Sequence, residues 1–204
     1  MDKPLLTGGS GLLGQELQKY LNCYAPTHEE MDITWPIEHK NYSLIIHSAA
    51  YTDVPKAEVE KKKCYDINVL GTLNLVRAFP NTPLVFISTE YTLNPVNFYS
   101  LTKKWAEDYI KQYHKNYLII RTLFKPSPFP FEGAFRDQHT QGDFVDVIAP
   151  LIVTAIMAWD GISKEIHLGT GRKTIYDLAK RTRNVYSISV DEIKDVKLPK
   201  DYLI

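Results

Sequence analysis

Hydrophobic and polar positions along the chain alternate between two patterns. Short apolar runs are followed by longer stretches in which apolar residues recur every three or four positions. The short runs are typical of strands that are buried on both faces, and the longer stretches are typical of amphipathic helices. The predicted strands are Leu5–Thr7, Cys23–Pro26, Leu44–His47, Leu84–Ile87, Leu118–Ile120 and Glu165–Leu168. This alternation predicts an α/β fold, a Rossmann-type doubly wound parallel sheet.

The helical stretches fall between these runs. They are predicted at Leu12–Leu21, Cys64–Phe79, Tyr99–Tyr113, Val145–Trp159 and Ile175–Thr182. Three prolines break the pattern in Lys125–Phe131, and a loop is predicted there because proline donates no backbone hydrogen bond. A chain of 204 residues suits a single domain, in which residues 123–204 form a small C-terminal cap on a core of residues 1–122.

Charge and cysteine content exclude several kinds of partner. Lys plus Arg equals Asp plus Glu at 24 each, so no overall field attracts nucleic acid or an acidic membrane surface. No apolar run approaches the ~18 residues of a membrane span, and residues 1–4 carry no secretion signal. The two cysteines form no disulfide framework, and the scattered histidines lack metal-ligand spacing. We therefore expect a cytoplasmic protein with no nucleic-acid partner, membrane partner or metal centre.

A glycine-rich turn follows the first predicted strand and opens the first predicted helix. It lies in the segment Thr7–Gly14. A side chain at the turn would block the approach of a pyrophosphate, whereas the free N–H groups of the following helix attract that anion. The turn therefore predicts a dinucleotide-binding core, and a turn without a ligand is the alternative. The residues expected to contact the cofactor here are Gly8, Ser10, Gly11, Leu12, Leu13 and Gly14.

The residues after the second predicted strand bear on which dinucleotide binds. An acidic side chain at this point bonds the ribose 2′-hydroxyl of NAD and repels the 2′-phosphate of NADP. Thr27 and His28 fall where the strand ends and suit a phosphate, while Glu29 is near enough to serve NAD. The sequence favours NADP(H) as the cofactor, with NAD(H) as the alternative. Asp32 is expected either to face the adenine or to cap a turn.

A tyrosine and a lysine four residues apart are the candidate proton-transfer groups. On a helix this spacing places Tyr99 and Lys103 on one face. A free phenol has a pKa of about 10, and a neighbouring ammonium favours the phenolate, so Lys103 is expected to tune Tyr99 for general acid catalysis. Thr89 follows the strand Leu84–Ile87 at the carboxyl edge of the sheet, where ligands of open α/β sheets bind. Its hydroxyl is expected to bond the oxygen of a carbonyl that receives hydride.

Five segments of the chain carry a resemblance to a known family. They are Thr7–Gly14, His47–Val54 with Lys56–Glu58, Asp66–Thr72, Ser88–Tyr91 and Tyr99–Lys103. In this order they resemble those of the extended short-chain dehydrogenases, and closely those of the dTDP-4-dehydrorhamnose reductase family. The resemblance implies that Thr89, Tyr99 and Lys103 form a catalytic triad and that Lys103 also contacts the cofactor.

The resemblance also implies a reaction. Members of the family reduce the 4-keto group of a dTDP-linked 6-deoxysugar, with hydride from the nicotinamide and a proton from the tyrosine. The implied partner is a nucleotide-sugar substrate, and a homodimer is the default assembly. Ala49, Ala50 and Tyr51 are implied to line the cofactor. Asn68 is implied to support the site or to make an internal hydrogen bond.

Departures from the family keep other functions open. Asp32–Tyr42 leaves little room for the usual helix, and Thr92–Phe98 is short for a substrate-facing loop. A non-catalytic NAD(P)-binding regulatory subunit is the first alternative. A nucleotide-sugar epimerase or dehydratase is the second. Dehydratases of this type carry two consecutive carboxyl residues after the catalytic threonine, whereas Thr89 is followed by Glu90 and then Tyr91, which favours reduction.

Overall fold

A parallel sheet of five strands forms the centre of the structure, a computed structural model that describes residues 2–201. The strands neighbour one another in the order β1 (Leu5–Thr7), β2 (Ile45–His47), β3 (Leu84–Thr89), β4 (Tyr117–Thr122) and β5 (Lys164–His167). Every pairing in this sheet is parallel, from Leu5 beside Ile45 to Arg121 beside His167. Parallel neighbours need crossover connections, which here carry the helices.

Helices cover both faces of the sheet. The α-helices of the described residues are α1 (Leu12–Leu17), α2 (Val54–Ala57), α3 (Lys61–Tyr65), α4 (Gly71–Ala78), α5 (Phe98–Tyr113), α6 (Val145–Met157) and α7 (Ile175–Ala179). A π-helical turn, Asp66–Leu70, joins α3 to α4, and 3₁₀ turns occupy Glu90–Leu93 and Val190–Glu192. Helices α1 and α6 contact each other on one face of the sheet, and α4 and α5 contact each other on the other face.

Alternate residues of each strand enter opposite layers of the core, because successive side chains of a strand point to opposite faces. Leu6, Ile46 and Val85 pack with α1 and α6. Leu5 and Ile45 pack with α4 and α5. The strands are thus covered on both faces, as their continuous apolar runs predict. The predicted α/β class, a doubly wound parallel sheet, is confirmed.

The second predicted strand, Cys23–Pro26, is wrong as a full strand. Tyr24 alone pairs, through a single parallel bridge to Leu5, while the N–H of Leu6 donates to the carbonyl oxygen of Tyr24 at 2.8 Å. Pro26 has no N–H with which to extend the ladder. Residues 27–44 then reach β2 through turns and irregular backbone, without a helix in this described segment, as the short spacing predicts.

Most predicted helices are present with different ends. Helix α1 ends at Leu17 instead of Leu21, because the following residues form tight turns, such as the N–H of Tyr20 donating to the carbonyl oxygen of Leu17 at 3.0 Å. Helices α6 and α7 also end before their predicted last residues. The helical stretch predicted from Cys64 begins at Lys61 and contains the π turn.

Short strand pairs build the part of the chain after β4. Phe124–Lys125 pairs in parallel with Asp143–Phe144, Gly133–Phe135 in parallel with Tyr186–Ile188, and His139–Thr140 antiparallel with Lys173–Thr174. Phe129 and Leu178 join Tyr91 and Tyr99 in one buried cluster, so this part packs against the carboxyl edge of the sheet. The sequence did not predict these pairs, because strands of two or three residues show no period.

Other expectations concern the organisation of the chain. The proline-containing segment Lys125–Phe131 is a loop, as predicted, except that Lys125 belongs to a short strand. The division into a core of residues 1–122 and a cap of residues 123–204 within a single domain stays a prediction. No helix among residues 2–201 is both long and apolar enough to cross a membrane.

Candidate active site

One cavity opens along the carboxyl edge of the sheet, where β1, β2, β3 and β4 end. Its volume is about 580 Å³, and its lining combines the glycine turn with residues that follow the later strands. The predicted site residues that line it are Gly8, Ser10, Gly11, Leu12, Leu13, Gly14, Thr27, His28, Asp32, Ala49, Ala50, Thr89, Tyr99 and Lys103. Residues far apart in the sequence therefore meet at the edge where ligands of open α/β sheets bind.

The glycine turn leaves no room for side chains. Gly8 has a φ of +75°, a left-handed conformation that favours glycine, and a Cβ on it would lie 2.6 Å from the backbone N of Ala49. A Cβ on Gly14 would lie 2.1 Å from the carbonyl oxygen of Gly8. Helix α1 follows Gly11 with no side chain capping its first N–H groups. The turn is therefore a backbone cradle that a phosphate group can approach.

An imidazole and a carboxyl group line the cavity after the Tyr24 bridge. His28 Nε2 lies 3.7 Å from Asp32 Oδ2. Asp32 Oδ1 accepts hydrogen bonds from the backbone N–H (2.9 Å) and the hydroxyl (2.8 Å) of Thr34, so this residue both caps a turn and lines the cavity. Glu29, the residue that would serve NAD, is exposed and lies outside the lining.

Tyr51 is the predicted cofactor residue that the structure does not bring to the cavity. Its backbone N–H donates to Asn68 Oδ1 (2.8 Å) and its hydroxyl donates to Glu60 Oε2 (3.1 Å), so its side chain is directed away from the lining. Buried Asn68 also donates to the carbonyl oxygen of Tyr51 (3.2 Å) and to the hydroxyl of Thr102 (3.0 Å). The π turn that carries Asn68 thus ties the loop after β2 to α5, through internal hydrogen bonds that also support the cavity wall.

Strand β3 and helix α5 bring Thr89, Tyr99 and Lys103 together. Asn97 begins α5 with a capping box, which fixes the start of the helix just before Tyr99. The phenol of buried Tyr99 lies beside the Thr89 side chain, closely enough for Thr89 to affect its pKa. Buried Lys103 donates from Nζ to the carbonyl oxygen of Ile87 at 2.9 Å. A phenol, a hydroxyl and an amine therefore share one wall of the cavity.

Burial dominates the ionisation of the phenol and the amine. It lowers the pKa of Lys103 to about 7, although the nearby carboxylate of Glu107 raises it. Burial and the neighbouring Tyr91 phenol raise the pKa of Tyr99 above its ordinary value, while the hydrogen bond with Thr89 lowers it. The expected lowering of the pKa of Tyr99 by Lys103 is not found, because the loss of solvation outweighs the other influences on the phenol.

A buried ion pair that the sequence did not predict lies one turn beyond Lys103 on α5. Glu107 is 0% exposed and accepts a hydrogen bond from Arg121 Nε at 2.9 Å. The same carboxylate accepts from the hydroxyls of Ser88 (2.5 Å) and Thr92 (3.0 Å). Ser88 itself lines the cavity. The ion pair therefore joins α5 to β3 and β4 directly behind the candidate proton-transfer groups.

The carboxyl group after Thr89 does not reach the cavity. Buried Glu90 accepts hydrogen bonds from the hydroxyl of Thr140 (2.7 Å) and the backbone N–H of Gln141 (3.0 Å). Burial raises the pKa of Glu90 above its ordinary value. Among the described residues of the lining, Asp32 is the only acidic one. Glu90 therefore anchors the part of the chain after β4, and its side chain is not available to a ligand in the cavity.

Several lining residues at and after the end of β4 were not predicted as site residues, among them Thr122, Lys125 and Phe131. The signal that identified Thr89, a polar side chain where a buried strand ends, was equally present at Thr122. Lys125 and Phe131 lie at the two ends of the proline-containing segment, whose path over the cavity depends on contacts with distant residues.

The fold and the cavity together define the class of protein to which the chain belongs. A parallel sheet with helices on both faces, and a glycine turn at the carboxyl end of β1, are the features of Rossmann-type dinucleotide-binding proteins. Residues 2–149 match the family described as the RmlD substrate binding domain. The chain belongs to this family.

Individual relatives support this family assignment. The chain is 29% identical over 150 residues to a dTDP-4-dehydrorhamnose reductase of Aggregatibacter actinomycetemcomitans, covering 60% of this chain and 51% of the relative. It is 27% identical over 199 residues to a GDP-6-deoxy-D-talose 4-dehydrogenase of the same organism, a match that covers 82% of this chain and 62% of that relative. The chain thus spans between half and two thirds of the length of these curated relatives.

A solved structure resembles the whole fold. The dTDP-4-dehydrorhamnose reductase from Bacillus anthracis, crystallised in complex with NADP, superposes with a TM-score of 0.82 at 26% sequence identity. The superposition covers 98% of this chain and 89% of that one. The sheet, its helices and the residues after β4 therefore follow the arrangement of that reductase.

Proposed function

We propose that this chain is an NADP(H)-dependent reductase that converts the 4-keto group of a nucleotide-linked 6-deoxysugar to a hydroxyl. The observation that carries the proposal is that the turn Gly8–Gly14 and the side chains of Thr89, Tyr99 and Lys103 line the same cavity. A dinucleotide whose diphosphate lies on the turn can extend its nicotinamide along the sheet edge to the end of β3. The similarity to dTDP-4-dehydrorhamnose reductases supports the choice of substrate class.

The residues present fit a dinucleotide. A Cβ on Gly8 or Gly14 would collide with backbone atoms, so the turn keeps its tight shape and its open N–H groups only with glycine at these positions. NADP(H) is favoured over NAD(H), because His28 lines the cavity and Glu29 does not. The complex of the Bacillus anthracis reductase with NADP supports the same choice.

The side chains on the cavity wall have complementary tasks. Bound NADPH supplies a hydride to the carbonyl carbon of the sugar. The Tyr99 phenol, which its raised pKa keeps protonated at neutral pH, donates its proton to the carbonyl oxygen. The Thr89 hydroxyl donates a hydrogen bond to the same oxygen as negative charge develops there. Lys103 lies on the same cavity wall, and below about pH 7 its protonated amine adds positive charge to the site where negative charge develops.

The test is NADPH oxidation by the purified protein with dTDP-, UDP- and GDP-linked 4-keto-6-deoxysugars, followed at the absorbance of the reduced nicotinamide. Tyr99→Phe and Tyr113→Phe are matched variants, since both residues lie on α5 and Tyr113 is 57% exposed at its end. Tyr99→Phe should lower kcat by about 10²- to 10⁴-fold, because it removes only the proton donor. It should leave the affinity for NADPH unchanged, and Tyr113→Phe should leave both quantities unchanged.

Full activity of Tyr99→Phe, or no turnover with any of these sugars, contradicts the proposal. Tight NADPH binding without turnover would instead favour a non-catalytic NAD(P)-binding subunit, the alternative that the short segment Thr92–Phe98 keeps open. Pairing as a homodimer stays a prediction, which sedimentation of the purified chain tests.

Dehydration and epimerisation are the weaker candidates. A dehydratase needs an acid and a base beside the sugar, but Glu90 is engaged by Thr140 and Gln141 and lies outside the lining. An epimerase returns the cofactor to its starting state, so product analysis by NMR would show an inverted stereocentre without net NADPH oxidation. That result would replace reduction with epimerisation.

A further inference from the structure

The amine of Lys103 lies over an aromatic ring behind the cavity wall. Its Nζ is 3.9 Å from the centroid of the Phe86 ring. Phe86 belongs to β3, is fully buried and is not part of the cavity lining, so the ring contacts the amine from within the core. The face of an aromatic ring attracts a cation within about 6 Å of its centroid, most strongly where water is excluded. The contact is therefore a cation–π pair within the candidate active site.

The hydrogen bonds of the amine leave room for such a pair. An ammonium has three N–H donors, and Lys103 is only 3% exposed, so water hydrates it poorly. One N–H donates to the carbonyl oxygen of Ile87 at 2.9 Å, and among residues 2–201 no second acceptor hydrogen-bonds the amine. The face of the Phe86 ring thus stabilises the ammonium where a hydrogen-bond acceptor is lacking.

The ionisable groups of the surrounding elements do not replace this contact. Burial lowers the pKa of Lys103, whereas Glu107 of the same helix and Cys64 of α3 raise it. The Glu107 carboxylate accepts its hydrogen bonds from other groups, including the guanidinium of Arg121 on β4. Burial lowers the pKa of His47 on β2 to about 3, so its imidazole is neutral at physiological pH. The aromatic ring is therefore the group in direct contact that favours the protonated amine.

We propose that Phe86 is a positioning residue of the candidate active site, and that the face of its ring holds the Lys103 ammonium at the cavity wall. Its part in catalysis rests on the proposed function, in which the charge on Lys103 assists reduction. Phe86 lies outside the lining, so it acts through Lys103 and not through contact with a ligand. An apolar side chain of the same size would fill the same space without attracting the cation.

The test compares rings of nearly equal shape that differ in the charge on their faces. 3,4,5-Trifluorophenylalanine at position 86 keeps the ring but withdraws electron density from its face, and 4-fluorophenylalanine does so less. The same replacements at position 79 are the matched control. Phe79 is buried in the same layer of the core, and its ring contacts His39 and Tyr42.

NMR of the whole chain labelled with ¹³C-lysine follows the ionisation of the amine without requiring turnover. The Cε signal of Lys103 is assigned by its loss in Lys103→Arg. Trifluorination at position 86 should lower the pKa of Lys103 from about 7 by about one pH unit, because the protonated amine loses the attraction of the ring. Monofluorination should give a smaller shift in the same direction, and both replacements at position 79 should give none.

The pH profile of kcat/KM connects the contact to the reaction. The fall of kcat/KM with rising pH should move to lower pH in the position-86 variants, by the same amount as the NMR midpoint. A purely structural role would give no such graded shift, since the rings fill the same space.

The outcomes distinguish the contact from the reductase. An unchanged pKa of Lys103 with both fluorinated rings at position 86 overturns the proposal, whether or not the protein reduces a keto-sugar. Equal shifts from replacements at positions 79 and 86 overturn it as well. A graded shift confined to position 86, in a protein that reduces none of the sugars, supports the contact and contradicts the reductase. A graded shift of the NMR midpoint with an unmoved kcat/KM profile overturns the part of Phe86 in the reaction.

Discussion

Replacing Glu107 with glutamine should destabilise the protein far more than the same change at its neighbour Asp108. Glu107 is 0% exposed and receives hydrogen bonds from Arg121, Ser88 and Thr92. The Asp108 side chain is 47% exposed and pairs with lysines on the surface of α5. The two residues are adjacent on one helix and both changes turn a carboxylate into an amide. The comparison therefore isolates the effect of burying the carboxylate among its hydrogen-bond partners.

The magnitude follows from what each change leaves behind. Glu107→Gln leaves the buried guanidinium of Arg121 with Glu165 as its remaining ion-pair partner. Breaking a buried pair by removing one partner costs about 3 to 5 kcal/mol. Asp108→Asn loses two exposed pairs, which contribute between 0 and about 1 kcal/mol each. The free energy of unfolding should thus differ between the variants by about 1 to 5 kcal/mol.

Urea unfolding measures this difference. The 3 tryptophans of the chain provide a fluorescence signal, and linear extrapolation gives the free energy of unfolding in water. Glu107→Gln should also lower the pKa of Lys103 further, because the Glu107 carboxylate raises it in the unaltered protein. Equal losses of stability in the two variants would refute the reasoning, since the buried carboxylate would then contribute no more than an exposed one.

Three further outcomes test the turn and the ionisable groups. Gly14→Ala should abolish NADPH binding in calorimetry, because its Cβ would lie 2.1 Å from the carbonyl oxygen of Gly8; an unchanged affinity contradicts the cradle. Burial lowers the pKa of His47 from its ordinary value of 6.5 to about 3, so between these pH values the imidazole is protonated in the unfolded chain and neutral in the folded one. The stability of the fold is therefore unaffected by His47 above pH 6.5 and decreases as the pH falls toward 3, by up to about 5 kcal/mol. His47→Gln should flatten this pH dependence in urea unfolding. The kcat/KM of reduction should fall as the pH rises through about 7, where Lys103 loses its proton, and a flat profile across that range would show that the charge is not needed.

Local patterns predicted the parts of the site that lie within a short stretch of chain. The glycine turn and the Tyr99–Lys103 spacing are readable because a strand-to-helix turn and one helix face are local geometry. The continuous apolar runs likewise predicted strands covered on both faces. The family resemblance added Ala49 and Ala50, which line the cavity, and Tyr51, which does not.

Features that depend on distant partners were not readable in this way. The sequence pattern does not distinguish Glu107 from the exposed charged residues of the same helix. Only the fold places Arg121 of β4 beside it. Lys125 ends a two-residue strand just before the proline-containing loop, and its exposure to the cavity depends on how this segment folds over Tyr91 and Tyr99. The predicted direction of the shift in the pKa of Tyr99 was wrong for a related reason. Burial raises this pKa, and the burial of a side chain depends on the whole fold and not on the neighbouring lysine.

A crystal structure of the chain with NADPH tests most directly whether the glycine turn and the proton donor serve one ligand. We expect the diphosphate on the backbone of Gly8–Gly14 and the nicotinamide ring beside Thr89, Tyr99 and Lys103, with space left in the cavity for a sugar nucleotide. A diphosphate bound elsewhere, or a nicotinamide ring directed away from Tyr99, would contradict the proposed reductase site.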